Sequence, residues 1–298
     1  MIRQHTIFVG FVVAALAGGC SVRGANAGDL TGSVNVYSEA DAGAAPGSDG
    51  VVRLTGYKCV TPPPPATPTK LVGVPEGPFL MGCNPQYDTE CKKDELPTHS
   101  PSLVAYAIDV TEVSQVQYYE CVQSGACLAP TCDWDPCGAR TNHPVVCVNR
   151  EDAETYCLWK HERLPTEAEW EKAARGADGL KYPWGNEGVD CKHTNMSGCK
   201  TGLDGKDGTA PVGSFPDGAS PYGVLDMAGN VVEWTADLYD PNYYASSPAE
   251  EPTGPTKAGA YVGRGGGWRS APYWHRASTR DDYEPSYFKN STGFRCAQ

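Results

Sequence analysis

The sequence predicts an α+β fold that has little regular secondary structure and is rich in disulfide bonds. Its 298 residues include 34 Gly and 25 Pro, which favour turns, and only three segments have a clear helical pattern. The aromatic residues are mainly amphipathic, since 7 Trp and 16 Tyr stand against 6 Phe. The chain also holds 13 cysteines, and its net charge of −12 argues against a nucleic-acid partner.

Residues 1–19 have the composition of an export signal. A basic start precedes the apolar run 7–17, which is too short to span a bilayer. The residues Leu-Ala-Gly-Gly before Cys20 resemble a lipobox, which implies that Cys20 is lipidated and anchors the mature chain to the membrane. We therefore expect a lipid-anchored protein of the cell envelope, and Ser21 rather than Asp after this cysteine implies outer-membrane sorting by its resemblance to Gram-negative lipoproteins. An ordinary cleaved signal peptide is the alternative.

Residues 20–70 are predicted to be a tether. They are small, polar and rich in Ala, Gly and Pro, with four consecutive prolines at 62–65, and cannot bury enough apolar surface to offset chain entropy. Within them, residues 51–59 have the alternating pattern of a short strand, and a disulfide of Cys59 would attach this strand to the domain. That this segment is part of the tether is an equal alternative. The remaining residues, 71–298, are predicted to form one large domain.

Local signals place the three helices. The first follows Thr111 as its expected N-cap, and the second spans 150–160. Thr166 and Glu169 form a capping box that opens the third, which Gly176 ends. Beyond this point only brief strands are expected, with 260–263 as an example. On the third helix we expect two solvated acids and a core tryptophan, and two further tryptophans are expected in the core: Glu167, Glu171, Trp170, Trp184 and Trp234.

The cysteines indicate an oxidising compartment. Without Cys20 twelve remain, which is consistent with up to six disulfides in an exported protein. Close spacing predicts three local pairs: Cys83 with Cys91, Cys121 with Cys127, and Cys191 with Cys199. Four cysteines keep an open connectivity: Cys59, Cys132, Cys137 and Cys147. A metal site at Cys132 and Cys137 is disfavoured, because no nearby His completes a set of four ligands.

Seven short blocks stand out between residue 70 and the C-terminus. They lie at 75–82, 110–114, 163–171, 182–186, 209–213, 227–234 and 293–296. With these blocks in this order, the chain resembles the sulfatase-modifying-factor family, the formylglycine-generating enzymes. The resemblance implies the family's α+β fold, which is related to C-type lectin folds, and a disulfide between Cys157 and Cys296.

The resemblance also shows what the chain lacks. Family members oxidise a substrate cysteine with copper held by two thiolates, three and eight residues after a Gly-Gly-Ser turn. Ser270 and His275 stand at those positions here. A hydroxyl cannot replace a thiolate for Cu(I), and a single imidazole is a poor trap for it, so we expect no copper and no catalytic residues. Ser270 and His275 as nucleophile and base, oriented by Asp281 or Asp282, is the alternative.

Calcium is the metal that the resemblance still implies, in a structural role. One ion would be held by the side chains of Asp226 and Glu233 with the carbonyls of Gly229 and Val231. A second would be held by the side chains of Asn195 and Asp204 with the carbonyls of Met196 and Lys206. The alternative is that hydrogen bonds alone hold these loops.

The family's active-site groove is expected to persist with a changed lining of aromatic and basic residues: Trp268, Arg269, Tyr273, Trp274, His275, Arg276 and Tyr283. Such side chains recognise peptides or sugars by stacking and hydrogen bonding, while a filled groove is the alternative. The favoured hypothesis is therefore a lipid-anchored, non-catalytic module that binds a peptide, protein or glycan in surface assembly. A formylglycine-generating oxidase is the alternative. Iron-dependent oxidation is disfavoured, because the six His residues show no His-x3-His-x-Glu cluster.

Overall fold

The structure is a computed structural model that describes residues 58, 59 and 62–298, together with the backbone of 44–46 and 52–54. The predicted export signal and Cys20 lie outside the described residues. Contacts divide the chain into two units, 1–37 and 38–298, and every described residue belongs to the second. Among the described residues, no helix is long and apolar enough to cross a membrane.

The described elements are short. The α-helices are α1 (Gln115–Ser124), α2 (Arg150–Trp159) and α3 (Glu167–Arg175). The strands are β1 (Ala44–Pro46), β2 (Val52–Leu54), β3 (Leu71–Val74), β4 (Gly77–Pro78), β5 (Ser102–Leu103), β6 (Tyr106–Asp109), β7 (Val232–Leu238), β8 (Tyr261–Arg264), β9 (Arg280–Tyr283) and β10 (Thr292–Gly293). Antiparallel pairs join β1 to β2, β3 to β6 and β4 to β5.

Capping residues fix the helix starts. The sequence prediction that Thr111 caps α1 is wrong: the cap is Ser114, whose backbone N–H donates to Gln117 Oε1 at 2.8 Å. The chain leaves β6 extended and does not turn into a helix until Ser114. The capping box of α3 is confirmed, since Glu169 N donates to Thr166 Oγ1 at 3.1 Å and Thr166 N to Glu169 Oε2 at 2.8 Å.

The largest sheet has the strand order β10, β7, β8, β9. β8 lies antiparallel to both β7 and β9, with Gly263 between Trp234 and Asp281, and β10 runs parallel to β7. The predicted strand at 260–263 is therefore confirmed within one residue. The loop that leaves β8 carries Ser270 and His275, so the sheet positions this loop.

All nine residues of α3 are buried, so the expectation that Glu167 and Glu171 face solvent is wrong. Glu167 accepts two hydrogen bonds from Arg280, at 2.7 and 2.9 Å. Glu171 accepts from Arg264 and, at 2.9 Å, from Arg175. These arginines neutralise the acids, which removes most of the cost of their burial.

Two large apolar clusters and a small one around Val146 and Val231 form the core of the described residues. Trp234 packs in one of the large clusters with Tyr156 and Phe294, and Trp170 packs in the other. Trp184 is only half-buried, and its ring stacks between those of Tyr182 and His193. The expectation of a core position is confirmed for Trp170 and Trp234 and is too strong for Trp184.

Six disulfides hold all described cysteines. Four are the predicted pairs: Cys83–Cys91, Cys121–Cys127, Cys157–Cys296 and Cys191–Cys199. The remaining two settle the open connectivity as Cys59–Cys137 and Cys132–Cys147. No described thiol is therefore left to bind a metal.

The end of the predicted tether is attached to the domain. Cys59 is stapled through its disulfide, Gln117 Nε2 donates to Thr67 O at 2.9 Å, and Val110 N donates to Lys70 O at 2.9 Å. The ordered domain thus begins before residue 71, because these polar groups pair with backbone that the sequence assigned to the tether.

Candidate functional site

The loop after β8 forms the floor of the candidate site. Gly265 and Gly266 adopt φ values of +89° and +69°, which favour glycine. A Cβ on Gly266 would lie 2.8 Å from Trp274 O, so the loop can fold against the 3-10 turn Pro272–His275 only with glycine there. This close approach sets where Ser270 and His275 lie.

Ser270 lines a very small cavity. Its Oγ accepts a hydrogen bond from Gly267 N at 3.0 Å. The cavity measures about 10 Å³ and is lined by Ser270, Trp274, Thr279, Asp281, Val232 and three glycines of the 263–266 segment. It has room for about one water molecule and no larger ligand.

His275 is fully buried and does not act on Ser270. Its Nδ1 lies 3.1 Å from Ala271 O, and because a carbonyl only accepts, the ring proton is on Nδ1. Burial lowers the pKa of His275 to about 4, so the imidazole is neutral at neutral pH. Asp281 is engaged by the Tyr283 hydroxyl at 2.5 Å and by Asp282 N at 3.1 Å. A nucleophile, base and orienting acid are therefore not assembled here.

The predicted groove lining is divided among three environments, and two of its members are not accessible. His275 and Arg276 are both fully buried, so the prediction that they line an open groove is wrong. Arg276 is held by Glu95 at 2.6 and 2.8 Å and by Asp88 at 2.7 Å, which satisfies its charge inside the domain. Tyr283 packs edge-on against Trp234 and donates to Asp281.

Trp268 and Arg269 line a shallow cleft of about 580 Å³. The Trp268 indole N–H donates to Asn290 O at 2.9 Å, and the Arg269 guanidinium lies 4.6 Å from the centre of the Trp268 ring. The other lining residues are Ser197, Lys206 and Asp207. Lys206, predicted as a calcium ligand through its carbonyl, thus belongs to this cleft, which offers two cations beside an aromatic ring.

Tyr273 and Trp274 form the third environment and are half-buried. Their rings are perpendicular, at 88°, with centres 5.4 Å apart. Trp274 lies between the small cavity and the surface.

The first predicted calcium site contains a buried acidic pair. Asp226 Oδ2 accepts from Gly213 N at 2.5 Å, while its Oδ1 has no hydrogen-bond partner among the described residues. Glu112 Oε1 accepts from Asn230 Nδ2 at 2.9 Å, and its Oε2 likewise has none. Burial, with the charge of Asp226 second, raises the pKa of Glu112 well above its ordinary value, and burial raises that of Asp226. The two oxygens that are unpaired among the described residues, Asp226 Oδ1 and Glu112 Oε2, could bind a hard cation or share one proton.

Glu233 is less available than predicted. Arg295 donates to its carboxylate at 2.7 and 2.6 Å, and the Trp170 indole N–H donates to it at 2.8 Å. Gly229 and Val231, the expected carbonyl ligands, are buried on the turn between Asp226 and Glu233. Sequence reasoning missed Glu112, although an acid inside the Val-Thr-Glu-Val block was a signal.

The second predicted calcium set is not assembled by side-chain contacts among the described residues. Asn195 is buried, and its Oδ1 accepts from Thr201 Oγ1 at 2.5 Å. Asp204 is exposed on a turn with φ +59°. The carbonyls of Met196 and Lys206 accept backbone hydrogen bonds from Cys199 and Gly202.

A further acidic cluster is not a metal site. The ligand atoms of Asp109, Glu162 and Cys296 lie within 4.8 Å of one another. The Cys296 sulfur is bonded to Cys157, however, and Lys160 Nζ already lies 3.8 Å from Asp109. The lysine supplies the positive charge that a metal would bring.

Comparison with known proteins identifies related sequences. Residues 58–298 match a family model described as the sulfatase-modifying factor enzyme 1-like domain. The formylglycine-generating enzyme of Streptomyces coelicolor is 42% identical over 170 residues, which cover 53% of this chain and 53% of that protein. The chain therefore spans about half the length of this relative. The formylglycine-generating enzyme of Mus musculus is 31% identical over 361 residues, covering 99% of this chain and 94% of that one.

A solved structure supports the same relationship. The structure of PvdO from Pseudomonas aeruginosa matches with a TM-score of 0.65 and 29% identity, over 76% of this chain and 93% of that chain. The α+β fold predicted from the sequence, with few helices, many disulfides and a C-type lectin-like architecture, is thereby confirmed.

Proposed function

Because the chain belongs to the sulfatase-modifying factor enzyme 1-like family, we propose that it keeps the family's scaffold and binds a ligand without oxidising it. The proposal depends on Ser270 and His275, which stand at the family's two cysteine positions. The hydroxyl of Ser270 is a hard ligand, and His275 offers one imidazole nitrogen, the buried Nε2, in place of the paired thiolates that Cu(I) prefers. Every described cysteine is bridged, so no described thiol replaces them.

The shallow cleft at Trp268 is the binding surface that this proposal uses. Arg269 and Lys206 offer hydrogen-bond donors and positive charge, and Trp268 supplies an aromatic wall. Asp207 adds a carboxylate to the same cleft, and this combination suits a polar peptide, protein or glycan. The small cavity at Ser270 is too narrow to hold a substrate side chain.

Catalysis is tested with a peptide that carries the sulfatase-motif cysteine, incubated with the purified protein, Cu(I) and oxygen. We expect no aldehyde by hydrazide labelling and mass spectrometry, and no retained copper. The double variant Ser270→Cys/His275→Cys is the matched comparison, and we expect it to gain Cu(I) affinity. Aldehyde formed by the unchanged protein would contradict the proposal.

The second candidate function is formylglycine generation itself. It is favoured by the names of the Streptomyces and mouse relatives, which are 42% and 31% identical. The same aldehyde assay decides between the two functions, because only the oxidase alternative requires product.

Ligand binding is tested on peptide and glycan arrays. We expect signal with the unchanged protein and loss with Arg269→Ala. Lys257→Ala removes an exposed cation outside the cleft and serves as the control. Equal loss in both variants would mean that net charge alone drives retention.

We also propose that Cys20 is lipidated and anchors the protein to the outer membrane of the cell envelope. The support is the lipobox-like sequence before Cys20 and the tether-like composition that follows it. Cys20→Ala should move the protein from the membrane fraction to the soluble fraction and abolish labelling with a fatty-acid analogue. Retention of both would refute the anchor.

Finally, we propose a structural calcium ion at Asp226. The support is the pair of buried carboxyl oxygens on Asp226 and Glu112 that have no hydrogen-bond partner among the described residues. Asp226 and Glu112 would supply charge, and the carbonyls of Gly229 and Val231 would complete an oxygen set. The ion would stabilise the fold and take no part in a reaction.

A further inference from the structure

A lysine side chain occupies the angle between two aromatic rings at the surface. Lys92 Nζ lies 4.1 Å from the centre of the Trp274 ring and 4.6 Å from that of the Tyr273 ring. The two rings are perpendicular, at 88°, so they offer two walls to one cation. Both distances are within the range of a cation–π interaction.

The rings are the only partners that the described residues give to the Lys92 ammonium. Neither an ion pair nor a hydrogen bond of its Nζ is found in 58, 59 and 62–298. Burial raises the pKa of Asp281, and the charges that act against this rise include that of Lys92, so the carboxyl lies near the ammonium. The contact therefore consists of two rings, with one carboxyl nearby.

Arg276 is a second cation at the Tyr273 ring, and it is held there permanently. Its guanidinium lies 4.2 Å from the centre of the Tyr273 ring, is fully buried, and is fixed by Glu95 and Asp88. Lys92 is half-buried on a flexible stem with no such acids. Its backbone is anchored by the neighbouring disulfide at Cys91, so the side chain can leave while the loop stays in place.

We propose that Tyr273 and Trp274 form an aromatic cage for a lysine side chain of a polypeptide ligand, and that Lys92 occupies the cage until the ligand displaces it. The inference rests on the proposed binding function and names the chemistry of the ligand. A net charge of −12 attracts a basic partner from a distance. The incoming ammonium makes the same contacts that Lys92 gives up.

Lys92, as the internal occupant, lowers the apparent affinity of the cage for any external ligand. Because Lys92 is held near the rings by the chain, it competes at a high effective concentration. The apparent dissociation constant rises by the factor by which Lys92 reduces the open fraction of the cage. Removing this side chain should therefore strengthen binding of a cation.

The probes are tetramethylammonium chloride and N-acetyl-lysine methylamide, each titrated into the full protein at constant ionic strength. The Trp274 indole N–H signal is followed by NMR. With Lys92→Ala we expect saturation of this signal at a concentration lower by a factor of about 5 or more, the size of one cation–π contact. Lys93→Ala removes the adjacent exposed lysine and should titrate like the unchanged protein.

Two ring variants complete the test. Trp274→Phe keeps an aromatic ring and should bind tetramethylammonium more weakly. Trp274→Leu in the Lys92→Ala background should not bind tetramethylammonium. The neutral control ligand, tert-butanol, should not saturate any variant. Because the two ring variants lack the Trp274 indole, their binding is followed by the Tyr273 ring signals, and near-UV circular dichroism reports that the fold is intact. Equal affinity with and without Lys92, or undiminished binding after Trp274→Phe, overturns the cage. The aldehyde assay remains the separate test of the proposed function, so the two failures are distinguishable.

Discussion

Single residues inside this domain carry charge that the fold must neutralise. Glu171 is fully buried and accepts hydrogen bonds from Gly82 N at 2.7 Å, Arg175 and Arg264. Burial alone would raise the pKa of Glu171, yet the two arginines hold it below its ordinary value. The carboxylate is thus ionised and shared between two guanidiniums.

Glu171→Ala should therefore destabilise the protein strongly. It leaves the buried Arg175 without a carboxylate and Arg264 with only Glu167, 3.6 Å away, which costs about 3–5 kcal/mol of unfolding free energy. The control is Glu154→Ala, which removes a partly exposed i,i+4 ion pair with Arg150 and should cost less than about 1 kcal/mol. Urea unfolding measures both, and similar losses would show that the buried network contributes little.

The buried carboxyl of Asp237 should make the free energy of unfolding depend on pH. Burial, followed by the charge of Glu167, raises the pKa of Asp237 from 3.8 to about 8. Between pH 3.8 and about pH 8, Asp237 is therefore protonated in the native state and ionised in the unfolded state. This stabilisation is fully present below the unfolded-state pKa and is lost as pH rises through the folded-state pKa.

In the native protein, Glu167 N donates a hydrogen bond to Asp237 Oδ2 at 2.8 Å. Asp237→Asn keeps a side-chain oxygen that can accept this bond and removes the group that titrates. Relative to the unchanged protein, the variant should gain stability as pH rises from 5 to 8, by at most about 1.4 kcal/mol per pH unit. Urea unfolding at several pH values gives this difference. A difference that does not change with pH would mean that Asp237 does not hold the proton.

The helices show which elements the sequence can predict. The boundaries of α3 follow from Thr166, Glu169 and Gly176, all within eleven residues, so local capping chemistry determines them. The burial of α3 could not be predicted in the same way. Arg280 and Arg264, which neutralise Glu167 and Glu171, lie 113 and 93 residues further along the chain.

The disulfides connect elements over very different distances. Cys157–Cys296 joins α2 to the C-terminus across 139 residues, whereas Cys191–Cys199 closes a loop of 8. The entropy of the unfolded chain predicts that loss of the long link, in Cys157→Ala/Cys296→Ala, costs about 5 kcal/mol and that loss of the short one costs about 2.5 kcal/mol. Thermal unfolding of the two double variants tests the order. The reverse order would indicate that local strain or packing dominates.

At the scale of the whole molecule, the family's scaffold was predictable and the state of its site was not. The positions of Ser270 and His275 could be counted from the glycine turn, because the spacing is local. The burial of Arg276 depends on Glu95 and Asp88, 181 and 188 residues away, and Lys92, which contacts the Trp274 ring, comes from that same distant segment. Long-range contacts therefore decide which of the predicted lining residues are accessible.

The calcium proposal is also a property of the whole chain, because Glu112 and Asp226 lie on separate segments. The two carboxyls are close enough to share a proton, so a proton and a calcium ion compete for the same oxygens. Since both pKa values are raised, the stabilising proton is lost as pH rises, and the ion must then replace it. Chelation should consequently lower the melting temperature more at pH 8 than at pH 5.

We expect a loss of about 5 °C or more at pH 8, as for an ion present at about 100 times its dissociation constant in a domain of this size. Elemental analysis of the purified protein should find calcium. Asp226→Ala removes a charged ligand and should make the melting temperature insensitive to chelation, whereas Asp217→Ala, on the exposed turn 216–218, should leave the response unchanged. A melting temperature that chelation leaves unchanged at both pH values, with no bound calcium, would assign the two oxygens to a shared proton, because Arg295 supplies only one positive charge to three buried acids, Glu112, Asp226 and Glu233.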